Sequence, residues 1–438
     1  MVRRDDALKV MTLGLRVGEV MLESSMAVSD VEDAVRRVIA ALGLEGCEVS
    51  ITLDVITLNY LHPSLEVPLT LMRVVRIGEP SLDRIVALEH LSRRIQAGEL
   101  DLHAASREIE HFDEVDTRYP RLVTTTGALV SVAAWVLFAG GGVLGAVAGV
   151  LAAVVIDVVL TPLRHSRVPA VFSTFLSAVV VVAVPYLFAA GDLSIALVPA
   201  VVGGLYPLLP GGALVASVTD GLSGAPISSL AKGLEAAIAA LAVALGTASA
   251  LALASELEIV STADRPEVST LLAVGTGGLA VAGLAVSRSM PLRFVPTTAA
   301  LAIVSWWVNT LLVGDGYDRN VATFVAASII GLGGQLLARL QRTTAIVHTT
   351  SAIYVLVPGF VFYVAMAAFA AGESDAAMPV LVDALSRAAA IAAGVALGVA
   401  IGRSVPAPRP RVALWRRSSR RRPGAVRADV GGGGSRGV

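Results

Sequence analysis

The sequence predicts an all-α polytopic membrane domain of about ten transmembrane helices, built as a 5+5 inverted repeat and preceded by a small α+β cytoplasmic domain. Three observations carry that expectation. Of 438 residues, 55% are apolar and only 16% charged, and the mean hydropathy is +0.75, too apolar for a soluble chain. The apolar residues fall in runs of the roughly 20 that a helix needs to cross a bilayer. Two of the runs, LLPGG at 208–212 and LVPGF at 356–360, are snapped by Pro-Gly. In hydrocarbon, broken backbone must be met by protein or water.

The first 121 residues are mixed and charged, as a cytoplasmic α+β domain requires. Leu8, Met11, Leu15, Val17, Val20 and Met21 share a helical face. Ser29-Asp30-Val31-Glu32 has the form of a capping box, opening a second helix that ends near Leu42-Gly43. Two β-branched runs, 48–60 and 67–77, read as strands separated by His62-Pro63, with Pro68 tolerable at a strand start. Ser81 and Asp101 each head a further helix, through about Ala97 and Phe112. The opening Met1-Val2-Arg3-Arg4-Asp5-Asp6 leads into an amphipathic helix, so no cleavable signal peptide is expected.

Apolar runs then follow near 122–140, 142–161, 170–190, 193–214, 228–254, 268–287, 294–313, 321–338, 345–370 and 376–401. They divide into a first membrane half, 122–255, and a second, 256–402. Placement of arginine and lysine sets orientation. With the N-terminal domain inside, Arg164, Arg167, Lys232, Arg288, Arg293, Arg339 and Arg342 fall at inner loops, and only Arg265 and Arg319 fall outside. The outer loops hold Asp192, Glu256, Glu258, Asp264, Glu267, Asp315, Asp318, Glu373 and Asp375. Both termini are then cytoplasmic. Residues 403–438, rich in Arg, Pro and Gly, read as a disordered cytoplasmic tail able to rest on anionic lipid.

A net charge of −1 gives no sign of a nucleic-acid partner, and a single cysteine, Cys47, leaves neither a disulfide framework nor a cysteine metal site. No cofactor or metal is expected. Enzyme motifs such as G-x-S-x-G or H-E-x-x-H are absent from the N-terminal domain. A regulatory or oligomerising role for that domain is more in keeping with its residues than hydrolysis, and a homo-oligomer is left open.

The two breaks superpose with a consequence: Glu235 lies 25 residues after Pro210, and Asp383 lies 25 after Pro358. That register pairs spans one to five with six to ten, and an odd number per half inverts one half against the other. A competing match, Arg167-Val168-Pro169 with Arg293-Phe294-Val295-Pro296, demands a parallel register. Broken backbone beside ionisable residues is the pattern of a transport pathway. Its candidates are Pro210, Gly211, Gly212, Asp220, Lys232, Glu235, Pro358, Gly359, Asp383 and Arg387, with Asp157, Asn309, His348 and Tyr363 as secondary ones. Each has a plainer reading. Glu235 could pair with Lys232, Asp383 with Arg387 and Asp157 with Arg164; Asp220 could cap a helix, and His348 could be a packing residue.

Pro210-Gly211, Asp220, Ser223-Gly224, Lys232-Gly233 and Glu235-Ala236 together resemble the signature of the threonine/serine exporter (ThrE) family. The first domain is similar to the family's own in Gly18-x-x-Met21-Leu22, Val31-Glu32, Leu42-Gly43, Arg73-Val74-Val75-Arg76, Ala97-Gly98 and Tyr119-Pro120. Val357-Pro358-Gly359 resembles the smaller C-terminal unit, which is a separate protein in some bacteria. The likeness runs from about Leu15 to Gly402 and departs at Glu23-Ser24-Ser25, where the family has a Ser/Gly pair. It implies a multi-pass cell-membrane exporter of small polar metabolites, threonine and serine foremost, driven by an ion (proton) gradient. Dicarboxylate export, known for split relatives, is the alternative it leaves, beside a membrane-anchored sensor or hydrolase. A zwitterionic cargo would need helix-start amides for its carboxylate and carbonyls or an acid for its ammonium.

Overall fold

The computed structural model describes residues 4–24, 26–61, 67–75, 81–114, 119–160, 168–191, 193–256 and 268–405. His62 and Pro63, the loop residues Arg164, Arg167, Asp192, Glu258, Asp264, Arg265 and Glu267, and tail residues 406–438 lie outside the described residues.

Helices α1 (Arg4–Glu23) and α2 (Val28–Ala41) pack on an antiparallel sheet ordered β1 (Glu48–Thr52), β2 (Val55–Tyr60), β3 (Leu69–Val74). Burial along β2 alternates, so Ile56, Leu58 and Tyr60 face the helices, the two-residue period of a strand. On α2, Val31, Val35, Val38 and Ile39 form the matching helical stripe. α3 (Leu82–Gln96) and α4 (Leu102–Glu114) complete the unit. Its core continues into Ala285, Phe294 and Val347 of the apolar helices and into Met290 in the turn between two of them, so the unit is packed onto the spans rather than tethered beside them.

Three local expectations need correction. The run 48–60 is a hairpin rather than one strand, turning at Leu53-Asp54 with Leu53 at φ 56°. α2 starts at Val28, before Ser29, and no side chain of its own caps it; Glu32 instead accepts the Ile51 amide at 2.9 Å, tying α2 to β1. Ser81 stands at the head of α3, but its hydroxyl bonds Asp83 rather than a backbone amide. Asp101 does cap α4, accepting from the Ala104 amide at 2.7 Å.

Cys47 is 7% exposed, and desolvation, then the charge of Glu48, pushes its thiol up to about 11. At neutral pH the thiol, not the reactive thiolate, is present. Alkylation of the folded protein is therefore expected to be slow at pH 7, to quicken as pH rises toward 11, and to be immediate in denaturant. Rapid labelling at pH 7 would contradict this placement.

Among the described residues, eight helices are long and apolar enough to cross a membrane, and counting each of two bent pairs as one span makes ten: Arg121–Phe138, Gly142–Leu160, Ala170–Ala190, Leu197–Leu208 with Gly211–Leu222, Pro226–Glu256, Thr270–Ser287, Leu292–Gly314, Arg319–Gln341, Ala345–Leu356 with Gly359–Ala370, and Ser374–Ser404. Eight are continuous; the fourth and ninth are bent pairs, at 46° and 50°. The fourth span was expected at 193–214 and instead runs on to Leu222, which puts Pro210 in its middle. The order of elements thus occurs twice, with the break in the fourth member of each set of five. The third span packs on the fifth as the eighth packs on the tenth. The second helix of the fourth span meets the tenth, and that of the ninth meets the fifth. This order agrees with the register that aligns the two breaks and not with the parallel one.

Candidate functional site

The two breaks have the same backbone. Pro210 lies at φ −81°, ψ 47° and Pro358 at φ −79°, ψ 51°, the inverse γ-turn region. In each, the following glycine amide donates back across the proline: Gly211 to the Leu209 carbonyl and Gly359 to the Val357 carbonyl, both at 2.9 Å. One offset of 148 positions carries Tyr206 to Tyr354 and Pro210 to Pro358. The breaks also touch. Tyr354 donates its hydroxyl to the Leu209 carbonyl at 3.4 Å, and a Cβ on Gly359 would stand 3.3 Å from the Tyr206 ring. Glycine lets the second break approach that ring without displacing it, whereas a Cβ there would push the ring aside by a few tenths of an ångström. Tyr206 is itself stacked on Trp135, ring centroids 4.4 Å apart.

A cavity of about 1390 Å³ runs from the first break to the N-terminal unit. Pro210, Gly212, Lys232, Glu235 and Asp157 line it. So do Arg288, Thr350 and Tyr354, together with Asp30, Asp33 and Arg37 of α2 at the side of the N-terminal unit. Glu235 is exposed to this space and has no ion-pair partner among the described residues. Asp157 lies in the first part of a π-helical turn, Ile156–Leu160, that ends the second span, a distortion often found at functional positions. Its carboxylate is 4.0 Å from the Arg121 guanidinium; Arg164 lies outside the described residues. At the far end, Arg403 of the tenth span bonds Asp30. Burial pushes the Asp30 carboxyl above the usual carboxylate range, and Arg403 pulls it back down.

Asp220 and Lys232 form a buried pair of a kind the sequence did not suggest. Lys232 turns away from Glu235: its ammonium is 2.7 Å from Asp220, with side-chain exposures of 4% and 0%. The same two side chains hold the N-terminal unit. Asp220 accepts the Val28 amide at 2.7 Å, and Lys232 donates to the Met26 carbonyl at 3.1 Å. Asp220 is therefore a cap, as one reading of the sequence had it, but for α2, 192 positions away. Nearby, Ser228 accepts the Leu53 amide at 2.9 Å.

The remaining candidates lie outside the cavity lining. Asp383 and Arg387 pair with each other on the tenth span, Nε to Oδ1 at 3.1 Å, and Pro358 and Gly359 are packed in the second break. His348 is fully buried, its Nδ1 2.8 Å from the Thr298 hydroxyl and its ring edge-on to Phe294. Tyr363 is buried in the ninth span, and Asn309 sits on the seventh. Gly211 faces Ile353 across the meeting of the breaks. Sequence reading treated Arg288 as an orientation charge alone and did not place it at the cavity that it lines. The available signal was slight, its place directly after Ser287 at the end of a span whose other polar residues are Thr270 and Thr276.

Comparison with known proteins gives a consistent picture. Residues 12–254 match the family described as "Putative threonine/serine exporter", and residues 276–401 match the one described as "Threonine/Serine exporter, ThrE". A Mycobacterium tuberculosis protein named "Probable threonine/serine exporter" is 29% identical over 396 residues, covering 87% of this chain and 74% of its own. The Corynebacterium glutamicum "Threonine/serine exporter" is 26% identical over 368 residues, covering 81% and 74%. No solved structure matches.

Proposed function

The chain belongs to the threonine/serine exporter family, and on that premise we propose that it carries threonine and serine out of the cell, using the cavity at its first broken span as the cargo chamber. The observation that supports this reading most is the cavity itself, since its lining includes broken backbone, a cation and an acid with no ion-pair partner among the described residues. Its volume is ample for an amino acid. In the helix that restarts at Gly211 the first amide is taken by the Leu209 carbonyl, and the next first-turn amides, those of Gly212 and Ala213, have no intrahelical acceptor and suit an anionic group. Glu235 is the group we assign to the cargo ammonium or to a coupling proton.

Orientation follows from charge. Arg121, Lys232, Arg288, Arg293, Arg339, Arg342 and Arg403 lie at or near span ends on the side of the N-terminal unit, and Arg319 at an end on the other, among the described residues. The excess of cations supports placing the first side, and both termini with it, in the cytoplasm. The cavity then faces inward, with the touching breaks closing it above. The N-terminal unit lies at its mouth, and a regulatory role there is part of the proposal.

Counterflow in proteoliposomes loaded with threonine, followed with labelled threonine and competed by serine and by succinate, tests the reading. Saturable counterflow with serine the better competitor is expected; preference for succinate would make the chain a dicarboxylate exporter. Glu235→Gln, correctly inserted, is expected to lower the rate roughly tenfold or more, the scale of losing one charge-assisted contact. Full activity in that variant would leave the backbone and Arg288 to hold the cargo alone.

A further inference from the structure

We propose that Arg288 is the carboxylate anchor of the cargo chamber. The inference rests on the export reading above and adds the chemical group by which cargo is held. Arg288 follows the last residue of the sixth span, and an arginine at a span end ordinarily extends toward headgroups and water. Here it turns into the protein instead. Nη1 donates to the Thr350 carbonyl at 3.1 Å and Nη2 to the Tyr354 hydroxyl at 2.9 Å. The guanidinium carbon is 5.0 Å from the centroid of the Tyr354 ring. Tyr354 passes the contact on to Leu209 at the first break.

A cation is thus fixed where the sixth span and both breaks converge, on the cavity wall and half-buried. No carboxylate lies within ion-pair distance of it among the described residues. Several other cations at the cavity have carboxylates of their own: Lys232 has Asp220, Arg121 has Asp157, Arg93 has Glu89 and Arg403 has Asp30. Guanidinium offers five N–H donors in a planar fork, of which two are used here. A partly desolvated charge without a counter-ion is unfavourable. A carboxylate entering the cavity would relieve it and match the fork. Both an amino acid and a dicarboxylate present that group.

The test uses the full chain in threonine-loaded proteoliposomes, with serine, succinate and threoninol, the alcohol that lacks the carboxylate, as competitors. Wild-type protein is expected to prefer serine to threoninol by roughly 10- to 100-fold, the range for a hydrogen bond to a charged group. In Arg288→Gln that preference should collapse to within about threefold, the residue of what neutral donors can supply. If Arg288 only braces Thr350 and Tyr354, both competitors weaken together and the ratio stays, which overturns the anchor while export stands. Arg288→Lys keeps the charge without the fork. It is expected to raise the half-saturating threonine concentration with threoninol competition unmoved, and an unmoved threonine value would equally overturn the proposal. A wild-type preference for succinate with the same collapse supports the anchor and changes the cargo. Counterflow of no carboxylate by wild-type protein removes the export reading and the anchor with it.

Discussion

Replacing Lys232 by methionine is expected to destabilise the folded protein by about 3–5 kcal/mol, the range for breaking a buried ion pair from one side. The reason is what stays behind. Asp220 is fully buried, and without the ammonium at 2.7 Å its charge has only the Val28 amide. The Met26 carbonyl loses its donor as well. Both losses fall on the segment where the N-terminal unit sits on the fourth and fifth spans, so that unit should loosen first. The Cys47 thiol, buried in the same unit, reports it: its labelling on heating should begin at lower temperature in Lys232→Met than in the wild type. Adding Asp220→Asn should recover much of the loss, since asparagine still accepts from Val28 and no buried charge remains. A Lys232→Met protein that melts within about 0.5 kcal/mol of wild type, the range of an inconsequential surface change, would show that the pair does not hold the unit. Transport should fall too, because Glu235 lies less than one turn beyond Lys232 on the same helix.

The spans were legible because lipid imposes one rule along the whole chain, and windows of hydropathy report it directly. The fourth span was misjudged where that rule relaxes. Ser217, Thr219 and Asp220 make its second helix read as a loop, yet Ser217 bonds the Ser229 carbonyl at 2.7 Å and Asp220 serves α2. Polar residues satisfied by neighbouring helices look, in sequence, like residues satisfied by water. Capping failed for a related reason. The acceptor for the Val28 amide is 192 positions away, so Ser29 and Glu32 offered a local answer that the fold did not need. The pairing of Lys232 was lost to the same bias: Glu235 is its neighbour on one helix, whereas Asp220 becomes its neighbour only when two helices form a hairpin. Pro210 and Pro358 were readable because proline and glycine act on their own backbone. Arg288 was not, since its meaning depends on Tyr354, from another span.

Leucine at Gly394 or Gly246 is expected to prevent correct assembly of the spans. A Cβ at Gly246 would stand 2.4 Å from the Phe175 carbonyl oxygen, and one at Gly394 would stand 2.5 Å from that of Phe324. These oxygens belong to helix backbone and cannot rotate aside, so the helices must separate. Apolar helices in lipid associate through close packing, with no hydrophobic force to restore it once lost, and even modest overpacking costs about 1–3 kcal/mol. Gly275→Leu, where nothing lies within 4 Å of the new Cβ, is the control and should behave as wild type. Monodispersity on size exclusion and threonine counterflow read the outcome; a monodisperse, fully active Gly394→Leu protein would refute the crossing. Gly246 and Gly394 are separated by the same 148 positions as the two prolines, so one crossing recurs in both halves. The halves are not equally tight. The eighth and tenth spans also meet through Gly331 and Gly398, whose added Cβ atoms would lie 2.2 and 2.1 Å from carbonyl oxygens, and Ala250 stands where Gly398 has its counterpart. Gly394→Leu should therefore be the more damaging of the two. The looser crossing belongs to the fifth span, which carries Lys232 and Glu235, and that is the half in which movement during transport would meet less resistance.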